Sequence, residues 1–508
     1  MPTIYEKEAM LLSLDDAFAD LKSALAEAVG HTPLHEVERM LFRRLQELGR
    51  GLLEWFVAET GTGYEAGHPP CTETGLPMTY KGTESSPYWS VFGEITLTRA
   101  GYAHPEGGYY YPLDAQLNRP ASKYSYLLQQ WLQADASEMD FRQAVAQLER
   151  IFGWSLSTDV PQRLGFPLAA QVDPFYAQQA PPTPAQEGSH LAVSTDGKGV
   201  RILRSERASS TAPEPTKPRL SKGEKRGIKK EAVVTVDFSF DPHPRTPEEM
   251  VKTLMKQHTE EERQQAHHER RQRRQQGQLE PRQPQNPHVR ATLAGKDHAF
   301  GYLMDRLQHR DPDGTKPIII LVDGKIELET QLRQQLRDHQ MDHRLQAVIL
   351  DIMHASEYVW EAATALYGET NPDRNSWVED KLRALLESRV GRLIGGLKQR
   401  LTKNTLTSAQ QNALHKAITY FTNHRHMMDY ATYLARGYPI ATGLVEGTCG
   451  SLVKDRLEQS GMHWSITGAQ AVLDQRAVMK NGDWDDFWVF FIEQERERMY
   501  PIAYPRVA

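Results

Sequence analysis

Two apolar runs that each end in Asp-Gly constrain the fold of this chain more than any other feature. The run "KPIIILVDGK" is continuously apolar up to Asp323, and "HLAVSTDGKGVRIL" is a β-rich run interrupted at Asp196. A short apolar run bounded by turn residues is typical of a strand buried on both faces. These runs, the β-branched stretch "EAVVTVDFSFD" and the helical patterns around them predict an α/β domain.

The length and composition indicate several globular domains. At about 150 residues per domain, 508 residues predict roughly three. A hydrophobic content of 39% with 25% charged residues, and no apolar run near the ~20 residues of a membrane span, predict a soluble protein without a membrane partner. The acidic N-terminus lacks the features of a secretory signal, and only two cysteines, Cys71 and Cys449, are present, so a reducing, cytoplasmic location is expected.

Shifts in pattern divide the chain into six regions. The predicted regions are a helical N-terminal region (1–60), a β-rich region (61–115), a helical region (116–185), the first part of the α/β domain (186–360), a helical insertion (361–436) and the last helices of the α/β domain with a C-terminal tail (437–508). Region 116–185, in which Ser137 is a predicted helix cap, fits either a DNA-reading helix-turn-helix or a small helical packing unit. Two segments interrupt the α/β domain: a basic, Pro- and Ser-rich insertion (204–230) and a polar insertion with an exposed helix and a disordered loop (254–290).

Asp196 and Asp323 share a local context that suits metal binding. Each follows an apolar strand and precedes glycine, which permits a sharp turn and leaves the carboxylate exposed at the strand end. Hard cations such as Mg²⁺ prefer such oxygen ligands. An ordinary Asp-Gly turn is the alternative explanation of either motif alone.

Glu446 stands in the stretch "PIATGLVEGTCGSLVKDRLEQSGMHW", between small residues and a basic, helix-like run. A helix starting near Gly443 would place Glu446 in its first turn, where a carboxylate suits the helix dipole, and would place the small Cys449 one turn further along. Lys454 and Arg456 would flank that face, within reach of phosphates. The alternative is a helix-start acid with solvated basic residues. With the two aspartates, Glu446 completes the minimum set of carboxylates for two-metal phosphoryl transfer.

The motifs resemble those of one family. The segments "STDGKG", "ILVDGK", "VILDIMHASEYVWEAA", "GLVEGTCGSLVKDRLEQSGMHWSITGAQAVLDQRA" and "NGDWDDFW" are similar to bacterial insertion-sequence DDE transposases of the ISKra type, which are related to Mutator-like elements. The resemblance implies an RNase H-like catalytic domain with Asp196, Asp323 and Glu446 as metal-binding catalytic residues. Asp351, with His354 nearby, competes with Asp323 for the second position.

The resemblance also implies cofactors and partners. It implies two Mg²⁺ or Mn²⁺ ions, double-stranded DNA (terminal inverted repeats and target DNA), a homo-oligomer that is at least dimeric on DNA, and action at the bacterial nucleoid. The family carries a zinc-ribbon-like region with two Cys-x-x-Cys knuckles, but the corresponding places here read "HPPC" and "HPEG". One cysteine and two histidines fall short of four zinc ligands, so we expect a metal-free ribbon held by Tyr80, Tyr88, Trp89 and Phe92.

DNA contacts must come from local basic or aromatic groups, because the net charge is −6. The candidates are Lys454, Arg456, Trp464, Lys225, Arg226, Lys229 and Lys230. Trp464 fits either base stacking or a core position. Arg270, Arg271, Arg273 and Arg274 form a second basic cluster, which fits a DNA contact or a solvated helix equally.

Two other classes of function stay open. One is a DNA-binding protein derived from a transposase that has lost catalysis, and the degenerate ribbon motivates it. The other is an unrelated Asp-based phosphotransferase, because strand-Asp-Gly-Lys also occurs in such folds. Aspartyl phosphatases need a second Asp two residues after the first, however, and those positions hold Lys198 and Lys325. The phosphate-binding loop Gly-x-x-x-x-Gly-Lys-Ser/Thr is also absent from the sequence.

Overall fold

The chain folds into two compact units. The structure, a computed structural model, describes residues 4–67, 76–103, 107–203, 205–206, 229–276, 284–403, 405–459 and 461–500. Unit 1 comprises residues 1–177 together with 482–508, and unit 2 comprises residues 178–481. The predicted last region, 437–508, is therefore divided, because its final helix packs with the N-terminal part of the chain.

Unit 1 contains eight helices and three strands among its described residues. The helices are α1 (Ile4–Ala28), α2 (Leu34–Thr60), α3 (Pro112–Gln116), α4 (Tyr126–Glu138), α5 (Phe141–Phe152), α6 (Val160–Ala169), α7 (Val172–Gln178, whose last residue falls in unit 2) and, from the C-terminal segment, α20 (Trp484–Met499). The strands are β1 (Thr79–Ser90), β2 (Gly93–Ala103) and β3 (Tyr109–Tyr110), which form an antiparallel sheet in the order β1-β2-β3. Along residues 4–178, helices, then strands, then helices follow one another in the order that the sequence predicts.

Aromatic packing holds the β-rich region, as the sequence predicts. The Tyr80 ring lies 5.5 Å from that of the buried Tyr102, and the Trp89 ring lies 5.2 Å from that of Trp154. Phe92 is instead 42% exposed. The zinc prediction is not decided, because His68, Cys71, His104 and the two residues after His104 lie outside the described residues.

The helices after the sheet pack around a common apolar core. Leu128 and Leu132 of α4 and Leu148 of α5 are fully or nearly fully buried in it. The prediction that Ser137 caps a helix is wrong, because Ser137 is a buried residue inside α4. The α5 cap is Asp140, whose side chain accepts a hydrogen bond from the Gln143 N–H. An aspartate cap satisfies one of the four free N–H groups at a helix start.

Unit 2 is built on a five-stranded mixed sheet. Its strands are β4 (His190–Arg201), β5 (Lys229–Phe240), β6 (Gln285–Thr292), β7 (Ile318–Val322) and β8 (Leu345–Leu350). The order is β6-β5-β4-β7-β8, in which β6, β5 and β4 pair antiparallel and β4, β7 and β8 pair parallel. The predicted α/β class is confirmed.

The helices of unit 2 follow the strands in groups. They are α8 (Pro247–Leu254), α9 (Glu260–Gln275), α10 (Lys296–Arg310), α11 (Ile326–Asp338), α12 (Ile352–Tyr367), α13 (Asp373–Leu386), α14 (Val390–Lys403), α15 (Ser408–Asn423), α16 (Tyr430–Ala435), α17 (Gly443–Thr448), α18 (Asp455–Leu457) and α19 (Ile466–Asn481). Helix α10 packs on β5, α19 packs on β6, and α17 packs on β4 and β5. No helix in the described ranges is long and apolar enough to cross a membrane.

The apolar character of β7 explains its position in the sheet. All five of its residues, Ile318 to Val322, are buried, and β7 pairs with a neighbour on each side. A strand covered on both faces must be apolar throughout, rather than alternating. The strand predicted from "KPIIILVDGK" is therefore the parallel strand between β4 and β8.

The polar insertion is shorter than predicted. Helix α9 is exposed, as expected, and residues 277–283 of the expected loop lie outside the described residues. Strand β6 begins at Gln285, inside the predicted insertion 254–290, and adds a strand to the sheet beside β5. Of insertion 204–230, residues 207–228 are not described. Region 361–436 is helical as predicted, from the end of α12 to α16.

Candidate active site

Three aspartates lie in one row across the three parallel strands β4, β7 and β8, just beyond the positions at which the strands pair. In this register Ser194 of β4 pairs with Leu321 of β7, and Leu321 pairs with Ile349 of β8. Two residues beyond these positions stand Asp196, Asp323 and Asp351. The ladder continues there, because the Asp351 N–H donates to the Val322 carbonyl at 2.8 Å. Ligands commonly bind near the carboxyl ends of parallel strands, so a functional site is expected at this row.

Asp196 lies within β4 rather than at its end. The strand runs on through Gly197 to Arg201, paired with β5 throughout, so the predicted interruption of the strand at Asp196 is wrong. Gly197 does not make a turn. A Cβ there would lie 2.1 Å from the Glu231 Oε1 of β5, so the exposed Glu231 side chain would have to move to admit one. The Asp196 side chain is 26% exposed, and its Oδ1 accepts from the Gly197 N–H at 2.6 Å.

Asp323 occupies the sharp turn that the sequence predicts. It follows the last residue of β7, and Gly324 has a φ of +102°, a conformation that side chains rarely adopt. The Asp323 Oδ1 accepts from the Lys325 N–H at 3.0 Å, which orders the carboxylate at the start of α11.

One ammonium group joins the first two aspartates. The Lys325 Nζ lies 3.1 Å from the Asp323 Oδ2 and 3.3 Å from the Asp196 Oδ1. Partial burial alone would lower the pKa of Lys325, but the Asp323 and Asp196 carboxylates outweigh it and raise that pKa. Two carboxylates close enough to share one cation form a site of concentrated negative charge.

Asp351 is a buried helix cap with no exposed surface. Its Oδ1 accepts from the Met353 N–H at 2.7 Å at the start of α12. Its Oδ2 accepts from the Thr442 N–H at 3.1 Å and from the Thr442 hydroxyl, at the start of α17. The carboxylate thus ties the N-termini of two helices together, and one of those helices carries Glu446.

Glu446 lies in the first turn of α17, as predicted. Its Oε1 is 3.3 Å from the His354 Nε2 and 3.2 Å from the Thr442 hydroxyl oxygen. Partial burial and the neighbouring Asp351 carboxylate raise the pKa of Glu446, although His354 opposes the shift. The side chain is 43% exposed, so it borders the solvent at the same edge of the sheet.

The described residues bring together one group of three metal-ligating side chains, and it is not the predicted triad. Ligand atoms of Asp351, His354 and Glu446 all lie within 4.8 Å of one another. Asp196 and Asp323 form a separate pair around Lys325. The six side chains thus form two adjacent clusters at the ends of the parallel strands.

Cys449 lies beside Asp196 of the Lys325 cluster. It lies one turn beyond Glu446, as the helical spacing predicts, and it is buried. Burial and the adjacent Asp196 carboxylate raise the pKa of the Cys449 thiol. From Cys449 to Lys454 the helix widens into a π-helical turn, a local irregularity that often accompanies functional sites.

Two of the predicted DNA-contacting residues belong to the core. Arg456 is completely buried and Trp464 is 8% exposed, with the guanidinium 4.9 Å from the indole ring centroid. The Trp464 indole N–H also donates to the Leu457 carbonyl at 3.2 Å. The prediction that Arg456 flanks an exposed face within reach of phosphates is therefore wrong, whereas Trp464 takes the core position, one of its two predicted alternatives.

The other basic candidates have different positions. Lys454 is exposed next to α18. The Lys229 Nζ forms an ion pair with the Glu458 Oε1 at 2.7 Å, and Lys230 is half-buried in β5. Lys225 and Arg226 lie outside the described residues.

Sequence reasoning missed two members of the site. In the sequence, Lys325 serves only to argue against an aspartyl phosphatase. The motif "DGK", however, places its amine two residues after Asp323, a predicted metal ligand. Thr442 gives no sequence signal beyond its place before a helix, and its link to Asp351 spans 91 residues.

The side chains define a class of site: a cluster of carboxylates beside parallel strands, with the Lys325 ammonium in one half and the His354 imidazole in the other. No protein-family model and no curated protein matches this chain.

Proposed function

We propose that this protein is a metal-dependent DNA strand-transfer enzyme with an RNase H-like catalytic domain, a DDE transposase of the kind that its motifs resemble. The observation that carries the proposal is the row of Asp196, Asp323 and Asp351 across three adjacent parallel strands, beside the helix that bears Glu446.

The sheet topology supports an RNase H-like domain. Three antiparallel strands, β6-β5-β4, are continued by the parallel strands β7 and β8. The first predicted catalytic aspartate lies on β4, at the junction of the two halves, and the second follows its parallel neighbour β7. Long helices come between β8 and the Glu446 helix, as expected of a catalytic domain with a helical insertion.

The donor set of the site fits a divalent cation. The Asp196 and Asp323 carboxylates are partly exposed oxygen donors that already share one positive charge, the Lys325 ammonium. Mg²⁺ and Mn²⁺ accept such ligands together with water and phosphate oxygens. When bound, two such ions supply activation of the attacking oxygen and stabilisation of the leaving oxygen in phosphodiester transfer.

Each residue of the site has a separate role in the proposed reaction. Asp196 and Asp323 provide negative charge on a rigid strand edge. Glu446 adds a carboxylate from α17, and His354 is placed to hold it by the 3.3 Å contact. Asp351 is a positioning residue in this scheme, because its buried carboxylate fixes the start of α17 through Thr442. This division favours Asp323 over Asp351 as the second metal-binding aspartate.

A groove in the helical insertion supports a nucleic-acid partner through its basic and aromatic lining. Its lining includes Trp377 and Lys381 of α13 and Arg400 and Lys403 of α14. Helix α14 carries four basic residues and no acidic one, and the open surface at Gly396 lets a ligand approach the backbone. Lysine and arginine cations suit contacts with phosphates, and an adjacent aromatic ring suits stacking on a base.

The test is a cleavage and strand-transfer assay on DNA that carries the inverted repeats flanking the coding sequence. With Mg²⁺ or Mn²⁺, the wild type should cut the ends, whereas Asp196→Asn, Asp323→Asn and Glu446→Gln should bind them and not cut. Glu361→Gln is the matched control, because this exposed carboxylate pairs with Lys416 away from the site.

Each outcome has a defined meaning. Specific binding without cutting by the wild type would replace the proposal with a DNA-binding derivative. Saturable ATP binding without DNA affinity would favour a phosphotransferase. Wild-type cutting by Glu446→Gln would remove Glu446 from the catalytic residues.

A further inference from the structure

The groove of the helical insertion lies between one face of α13 and one face of α14. Its lining residues recur at the helical spacings of three and four, so they share a side of each helix. They are Trp377, Lys381, Gly396, Gln399, Arg400 and Lys403. The groove has a volume of about 410 Å³, which is in the range of pockets that hold small ligands. It therefore has room for one nucleotide but not for a double helix.

This groove lies well away from the row of aspartates. Helix α12 begins directly after Asp351 and ends at Tyr367, whose ring lies 6.2 Å from that of Trp377 in the groove. The 16 residues of α12 span about 24 Å at 1.5 Å per residue. The metal-binding carboxylates therefore do not hold a ligand in the groove, and a nucleotide bound there is not the one that is cut.

Arg400 is held in place by a neutral partner. Its Nη2 donates to the Tyr367 hydroxyl at 2.7 Å, and its guanidinium lies 5.7 Å from the Tyr367 ring centroid. No carboxylate among the described residues forms an ion pair with Arg400 or with the exposed Lys403. A guanidinium has several N–H donors, so the bond to Tyr367 leaves others for an anion. The two positive charges are therefore available to a phosphate.

Trp377 adds a flat aromatic surface to the groove. Its side chain is half-buried, and the Lys381 Nζ lies 5.4 Å from its ring centroid. The Asp380 carboxylate neutralises that ammonium at 2.7 Å, so Arg400 and Lys403 supply the uncompensated charge. An aromatic ring stacks on any base, whereas an inorganic anion gains nothing from it. The ring together with the two cations therefore favours a nucleotide over a simple anion.

We propose that this groove is a nucleotide site separate from the catalytic row, which stacks an unpaired base on Trp377 and holds its phosphate with Arg400 and Lys403. Bases inside a duplex are already stacked and paired, so the groove selects unpaired nucleotides. The assignment rests on the proposed function for the source of its ligand, an unpaired strand of the substrate DNA. A free nucleotide offers the same base and phosphate, and the experiment separates the two sources.

The experiment is fluorescence anisotropy on the full chain in EDTA with three labelled probes. They are a blunt duplex, the same duplex with a single-stranded tail of about four thymidines, and the same duplex with an abasic tail of equal length. The wild type should bind the thymidine tail about fivefold or more tightly than the abasic tail, because stacking of a single base is worth that much. Displacement of the tail by thymidine monophosphate would identify a free nucleotide as a ligand of the site, and no displacement would identify the strand.

Two neighbouring glycines provide a matched pair of variants. Neither Gly395 nor Gly396 has a positive φ, and a Cβ at either would meet no atom within 4 Å. Of the two, Gly396 lines the groove. Gly396→Leu should therefore fill the groove and abolish the preference for the thymidine tail, whereas Gly395→Leu should preserve it. The melting temperature should not fall in either variant, because leucine is a better helix former than glycine.

The ring and the charge are tested separately. Trp377→Ala should bind both tails equally, and Trp377→Phe should restore the preference. Lys403→Gln should reduce the slope of log affinity for the thymidine tail against log salt by about 0.7, whereas Lys398→Gln, on the opposite side of α14 from Gly396, should not change it.

Two results would overturn the site. They are equal binding of the two tails by the wild type, and a preference that survives Gly396→Leu. The assay needs neither metal nor cleavage, so its outcome is independent of the catalytic assignment. A wild type that keeps the preference but cuts no DNA would refute the proposed function alone. A wild type that cuts DNA but has no preference would refute the nucleotide site alone.

Discussion

Replacement of Asp351 separates a positioning role from a metal-binding role. In Asp351→Ala the Met353 N–H loses its cap, which costs about 1 kcal/mol. The buried Thr442 N–H loses its acceptor as well, which costs about 1–3 kcal/mol. The two together should destabilise the junction of α12 and α17 by about 3 kcal/mol, because the carboxylate has no exposed surface.

Hydrogen exchange measures this effect locally. A loss of about 3 kcal/mol is roughly a 100-fold increase in the opening equilibrium, so the amides of Met353 and Thr442 should exchange about 100 times faster. A local readout is needed because a chain with two units does not have to unfold in one step.

Asp323→Ala is the contrasting variant. Asp323 is partly exposed and accepts a single backbone hydrogen bond, so its removal should leave those two amides protected. Unchanged exchange in Asp351→Ala would refute the positioning role and return Asp351 to the set of metal ligands. Equal acceleration in both variants would show that the two aspartates belong to one structural unit.

Three further predictions test other parts of unit 2. Lys325→Ala should raise the affinity for Mn²⁺, since the ammonium that neutralises Asp196 and Asp323 is removed; titration calorimetry measures it, and unchanged affinity would place the metal elsewhere. Gly437→Ala should lower the melting temperature and cost about 2 kcal/mol or more, because the residue has a φ of +75° and a Cβ would lie 2.3 Å from the His243 backbone nitrogen; an unchanged melting temperature would contradict the clash. Burial, with nearby arginines, holds the pKa of His288 well below its usual value. The unfolded chain therefore takes up a proton at His288 near pH 6.5, while the folded chain does not. Below that pH the free energy of unfolding should fall by up to about 1.4 kcal/mol per pH unit. Between pH 7 and pH 5 the melting temperature should fall less with pH for His288→Gln than for the wild type. An equal fall in both proteins would exclude His288 as a source of acid sensitivity.

Local patterns predicted the elements whose sequence matches their burial. Strand β7 is continuously apolar because a strand pairs with it on each side and both of its faces are buried. Its sequence alone therefore identifies it as a central strand. Helix α17 was placed correctly by its small residues and its acidic first turn. In both cases the signal lies within a few consecutive residues.

Elements defined by distant partners were missed. Strand β6 opens with the residues "QNP", which are poor strand formers, and its pairing with β5 overrides that preference. The burial of Arg456 depends on Trp464, and a charged residue beside a helix gives no sign that an indole ring will cover it. The cap made by Asp351 for α17 joins residues 91 positions apart, which no local pattern reports.

The division of unit 1 between both ends of the chain has a consequence for its synthesis. Helix α20 packs its Phe487 ring 5.3 Å from that of Phe175, and its Asp485 accepts from the Gln130 side chain at 3.1 Å. The ribosome makes the roughly 300 residues of unit 2 between these partners, which takes about 15–60 s at 5–20 residues per second. Unit 1 must therefore wait until α20 has been made, so a chain that stops before residue 482 lacks the helix that completes it.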